Sequence, residues 1–112
     1  MIGSVGFDGR VLRIDSLRVE LEHPIAEAFV LGELVVVLFP YEAAPRSYGA
    51  FDNLIALTRR GERAWVAELP THGNDAWVDI LSREPLVATS WSSLQCTLDP
   101  RSGKILRTDV VK

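Results

Sequence analysis

The sequence has a single cysteine, Cys96, among 112 residues. It can form no disulfide within the chain and no thiolate-rich metal site, and a reducing compartment is its expected home. Histidine is also scarce. His23 and His72 each stand beside a turn breaker, Pro24 or Gly73, and no HxH or HxxxH pair places two ligands on one element. Both are expected at the surface, with no metal and no cofactor. Long apolar runs are missing: "LVVVLF", residues 34–39, is far below the roughly 20 residues that cross a bilayer. The start, "MIGSVGFDGR", lacks the long apolar stretch of a secretory signal because Asp8 and Gly9 interrupt it. The expectation is a cytoplasmic protein with no membrane association. Excess positive charge is absent too, since the net charge is -3. A general nucleic-acid binder needs a basic face, so nucleic acid is not an expected partner.

Helical periodicity is lacking as well: Gly, Pro or a β-branched run breaks every window of about a dozen residues. What is present is strand. Apolar residues make up 47 % and charged residues 24 %, the composition of a globular chain that folds. Strands are expected at Ile2 to Phe7, Arg10 to Ile14, Leu17 to Leu21, Ile25 to Leu31, Leu34 to Phe39 and Asn53 to Thr58. Further strands are expected at Ala64 to Leu69, Trp77 to Ser82, Leu86 to Ser90, Leu94 to Leu98 and Lys104 to Val111. Turn signals bound each of them. Asp8-Gly9 suits a type I′ hairpin, and Arg60-Gly61 and Ser102-Gly103 end loops in a residue able to take positive φ. Pro100 presets a turn that Asp99 caps and Gly103 closes.

Short connections between strands imply an antiparallel meander, because parallel neighbours need long crossovers. The "LVVVLF" run is apolar on both faces and is expected in a central strand between layers. "RVLRIDSLRVELE" alternates instead. Val11, Leu12, Ile14, Leu17, Val19 and Leu21 are set between Arg10, Arg13, Asp15, Arg18, Glu20 and Glu22, the pattern of a half-solvated edge.

Three stretches share a form: "FDGRVLR", "TRRGERAW" and "DPRSGKILR". A polar turn ends in Gly9, Gly61 or Gly103, and the fourth residue onward is Arg13, Trp65 or Arg107. The form recurs about every 45 residues, the length of a four-stranded propeller blade. "NLIALTRRGERAWVAELP" and "LVATSWSSLQCTLDPRSGKILRTDVV" resemble the outer hairpins of PQQ-repeat and WD40-like β-propeller blades. From about Pro24 onward the chain is also similar to small uncharacterised bacterial propeller-like proteins. Thr58 stands where the pattern carries Asp and Arg107 where it carries the docking Trp. The quinone cofactor of PQQ enzymes is not implied, because its site needs a closed ring. The expected fold is all-β, one domain over 1–112: N-terminal strands in 1–23 and antiparallel four-stranded meanders in 24–70 and 71–112. Together these make about two to two and a half propeller blades. So few cannot close a ring, so a homodimer is expected, paired through a two-fold axis.

Catalytic signals are weak. Cys96 has no neighbouring base, "SWSS" at 90–93 lies in no nucleophile elbow, and the carboxylates form no pair at defined spacing. No catalytic residue is expected. Trp65, Trp77 and Trp91 all read as core rings between packed sheets, with a ligand-stacking role left open chiefly for Trp91, which adjoins a turn. The connection "PYEAAPRSYGAFDN", residues 40–53, is longer than a hairpin needs and holds Tyr41, Arg46, Tyr48 and Phe51, residue types common at interface hot spots. With Trp91 they are the expected contacts for a partner or ligand. Three functional expectations follow. The first is a non-catalytic protein-interaction module, immunity-type or scaffold, not an enzyme. The second is a small-ligand site between blades, lined by Tyr41, Tyr48 and Trp91. The third is a structural fragment assembling into a larger β-ring.

Overall fold

A computed structural model of the protein describes residues 1–44 and 49–110. Among these residues every regular element but one short 3₁₀ turn is a strand, and the strands form three antiparallel sheets. The first sheet holds β1 (Val5–Asp8), β2 (Val11–Ile14) and β3 (Leu17–Glu20). The second holds β4 (Glu27–Leu31), β5 (Leu34–Leu38), β6 (Leu54–Thr58) and β7 (Arg63–Val66). The third holds β8 (Trp77–Ser82), β9 (Leu86–Ser90), β10 (Leu94–Leu98) and β11 (Ile105–Val110). Each sheet is a meander in which sequence neighbours are spatial neighbours. The two expected four-stranded meanders are therefore present, preceded by three N-terminal strands.

The sheets stack in sequence order, and the reason lies in β5 and β6. Val36, Leu38, Leu54 and Ala56 pack with Trp77, Leu86, Ala88, Cys96 and Leu98 of the third sheet. Their neighbours Val35, Val37, Ile55 and Leu57 pack with Leu12 and Ile14 of the first. Side chains alternate between sheet faces. A strand that is apolar at every position must therefore be covered twice, and β5 is. Each fully buried Val or Leu contributes about 1.5–3 kcal/mol, so both interfaces are strongly driven.

The two end sheets stop the stack. Alternation places Arg13, Arg18 and Glu20 on the outer face of the first sheet, opposite to Leu12 and Ile14, and all three are exposed. On the third sheet Asp79, Thr89, Gln95 and Asp109 are in register across four strands. They lie on the face opposite to Ala88 and Cys96. Both terminal faces are thus polar and solvated.

A joint recurs between successive sheets. Gly61, in the β6–β7 turn at φ +82, lies so close to β3 that an added Cβ would meet Val19 Cγ2 at 2.7 Å. Gly103, in the β10–β11 turn at φ +72, lies against the Trp65 ring of β7, where a Cβ would meet Cε3 at 2.5 Å. The Trp65 indole also donates to Pro100 O at 3.0 Å. Each turn therefore seats on the last strand of the sheet before it. The turn-forming residues match as well: Asp99 Oδ1 accepts the Arg101 amide at 2.9 Å, and Thr58 Oγ1 accepts those of Arg60 and Glu62 at 3.2 and 3.3 Å. Thr58 performs with a hydroxyl what Asp99 performs with a carboxylate. Arg107, at the position equivalent to Trp65, pairs instead with Asp109 at 3.0 Å.

Candidate functional site

Two features at opposite strand ends of the second and third sheets stand out. The first is built on two buried polar side chains that close the long connections. Asn53, 0 % exposed, donates through Nδ2 to Phe39 O at 2.8 Å and Trp77 O at 2.6 Å, and its Oδ1 accepts the Trp77 amide at 2.8 Å. One side chain thereby ties the end of β5 to the start of β8. Asp75 Oδ1 accepts the amides of Ala76 and Ser92 at 2.9 and 3.2 Å, and Oδ2 accepts the hydroxyls of Thr71 and Ser92, both at 2.8 Å. Four donors hold this buried carboxylate, with no cation paired to it among the described residues. Because Ser92 donates to Asp75, the Ser90 hydroxyl, 2.7 Å away, donates to Ser92 and in turn accepts the Leu94 amide at 3.3 Å.

Backbone groups extend the same frame outward. Phe51 N donates to Asp75 O at 2.9 Å, and Trp91 N donates to Ala76 O at 2.8 Å. The Asp75-Ala76 segment therefore fixes two of the residues singled out from sequence, and they end differently. Phe51 is buried in the core, edge-on to His23 with ring centroids 5.2 Å apart. Trp91 is 60 % exposed on the β9–β10 turn, where Ser93 takes φ +67 and donates to Ser90 O at 3.0 Å. Tyr41 is also exposed, on the 3₁₀ turn Tyr41–Ala43. Arg46 and Tyr48 lie outside the described residues.

The second feature is a cleft of about 630 Å³ at the other end, between the second and third sheets. Its walls come from three hairpin turns, with Leu31, Leu34, Pro85, Leu86, Leu98 and Leu106 supplying apolar surface. Arg83 stands at its edge, 4.4 Å over the Phe29 ring and 3.3 Å from Glu27. Arg101, Glu33 and Glu84 are its other charged neighbours. A cleft between the two four-stranded sheets was expected, but neither Tyr41 nor Trp91 lines this one.

Reactive groups do not converge at either feature. Cys96 is buried, and burial raises its thiol pKa, an effect that a hydrogen bond from Thr108 partly offsets and the charges of Asp75, Asp109 and Glu68 reinforce. A thiol held neutral is a poor nucleophile. Neither histidine hydrogen bonds to Ser90, Ser92 or Asp75 among the described residues. No group of three His, Cys, Asp or Glu side chains suited to a metal ion occurs among the described residues. No helix among them is long and apolar enough to cross a membrane. The fully buried Trp77 carries an indole N–H with no partner among the described residues, an unmet donor that costs about 1–3 kcal/mol.

Compared with known families, residues 2–110 match the model of a domain of unknown function, DUF7957. No curated protein and no solved structure matches the chain.

Proposed function

We propose that the chain, which belongs to the DUF7957 family, is a non-catalytic protein-interaction module that presents Trp91 from a rigid frame. The observation that carries this reading is the contrast among the three tryptophans. Trp65 and Trp77 fill the core, whereas Trp91 is 60 % exposed although its backbone is pinned to a buried polar network. A large ring on a fixed backbone has no loop-ordering entropy left to lose on binding, and such rings dominate interface hot spots. Exposed Tyr41 adds to the same kind of surface. The net charge of -3 favours a partner with a basic face and speeds encounter with it, as in an immunity-type or scaffold role.

Capture of partners from the source cell by wild-type protein and by Trp91→Ala tests this reading. A protein retained by the wild type and lost with the variant, at unchanged folding stability, is the expected result. A partner retained equally by both, or none at all, overturns it.

The 630 Å³ cleft favours a second reading, a site for a small apolar ligand. A ligand seated there raises the melting midpoint by mass action, so a thermal-shift screen against Leu31→Lys as control tests it. The repeated seating of Gly61 on β3 and of Gly103 on Trp65 supports a propeller-like relation of successive sheets. The charged outer faces of the first and third sheets weigh against closure into a larger ring through those faces.

A further inference from the structure

We propose that two copies of the chain associate through β11, edge to edge and antiparallel about Thr108, to form one continuous eight-stranded sheet. β11 lies at the edge of the third sheet and, among the described residues, pairs only with β10. Its first amide, that of Ile105, is already taken by Glu68 Oε1 at 2.9 Å, which leaves Leu106 to Val110 as the open edge. The other edges are protected in the ways natural sheets use. β8 is broken by two register shifts and ends near Pro85, and β7 is four residues long, with one register shift and Arg63 bound to Glu22 at 2.9 Å. β3 alternates Arg18 and Glu20 outward, and β1 runs beside β4. β11 carries no proline, glycine or lysine; its one register shift falls at Leu106 and leaves Arg107 to Val110 in regular pairing with β10, and it exposes Leu106 at 65 % and Val110 at 72 %.

The identity of the occupant follows from the residue pattern. In an antiparallel pairing centred on Thr108, Leu106 faces Val110 of the second copy, Arg107 faces its Asp109, and Thr108 faces itself. Every cross-strand pair is complementary, and the two-fold axis makes the Leu106–Val110 and Arg107–Asp109 pairs twice. Arg107 and Asp109 lie on the outer face, opposite to Thr108, whose hydroxyl lies 3.7 Å from Cys96 Sγ. Their existing ion pair therefore meets its mirror arrangement and gains a second set of partners. Val110 lies on the same side as Thr108, and Leu106, at the register shift, meets it across the pair. The contact is small, so association is concentration-dependent and not obligate. The proposal is independent of the Trp91 surface, and its failure leaves that reading intact.

Sedimentation velocity from low micromolar to near-millimolar protein, with full-length chain, provides the test. Wild type is expected to pass from monomer to dimer. Arg107→Asp and Asp109→Arg each place like charges opposite one another twice, weakening the dimer by about tenfold or more. The double variant R107D/D109R restores it. An equimolar mixture of the two single variants also restores it, because only the heterodimer then pairs opposite charges. Amide exchange of wild type alone is expected to slow at residues 106–110 as concentration rises. A wild type that stays monomeric overturns the proposal. So does a dimer indifferent to both single variants, or a loss that neither the double variant nor the mixture repairs.

Discussion

Asn53→Ala removes a side chain that serves three backbone groups across two sheets: Phe39 O, Trp77 O and Trp77 N. All lie in the interior, so water does not simply replace the lost partner. At the lower bound of about 1 kcal/mol for each buried group left unmet, the three together cost about 3 kcal/mol. That is a large share of the 5–15 kcal/mol or so by which a domain is stable. Urea unfolding followed by tryptophan fluorescence reads the change directly, because Trp77 is itself one of the partners. With a urea slope of about 1.5 kcal/mol/M, the midpoint falls by about 2 M. Asn53→Asp sharpens the test. It keeps the acceptor for Trp77 N but turns an acceptor towards two carbonyl oxygens, so its carboxyl is stable in the fold only when protonated. The unfolded chain then releases that proton more readily, and the variant loses stability as pH rises through the ordinary carboxyl range near 4. A midpoint drop below about 0.5 M for Asn53→Ala refutes the argument, as does an Asn53→Asp variant equally stable at acid and neutral pH.

Gly103→Ala combines a positive φ with a Cβ 2.5 Å from Trp65 Cε3, so it is expected to cost about 2 kcal/mol or more by thermal or chemical unfolding. Gly9→Ala, also at positive φ but with open space around it, costs only the backbone strain of about 1 kcal/mol. Trp91→Ala changes stability by no more than about 0.5–1 kcal/mol, since its ring leaves little area to bury. Cys96 gives a pH signature: its thiol is held neutral in the fold, while the unfolded chain ionises above about pH 8.5. Stability therefore declines as pH rises beyond that point, and Cys96→Ala removes this part of the slope in urea titrations at pH 7 and 9.5.

The layering was legible in six letters. "LVVVLF" alternates between the two cores residue by residue, with Val35 and Val37 in one and Val36 and Leu38 in the other. The turn glycines were equally readable, because Gly9, Gly61 and Gly103 all take the positive φ that their dipeptides announce. The polar network and the cleft at the two strand ends of these sheets were not. Asn53 reaches Trp77 across 24 residues and Asp75 reaches Ser92 across 17, and nothing local marks either side chain as buried. The cleft is hidden for the same reason, since three distant turns make its walls. Residue type alone also failed to separate Phe51 from Trp91. Both are large aromatics beside a loop, and only the packing of His23 over one of them distinguishes core from surface.

The middle sheet needs both neighbours, and they do not arrive together. On the ribosome the first sheet emerges before β4–β7 and can receive Val35 and Val37 at once. Val36, Leu38, Leu54 and Ala56 stay bare until the chain from Trp77 to Val110 has been made. At about 5–20 residues per second that interval lasts a few seconds. A nascent chain that stalls near residue 76 therefore carries an uncovered greasy sheet, and quality control would meet it as a misfolding hazard.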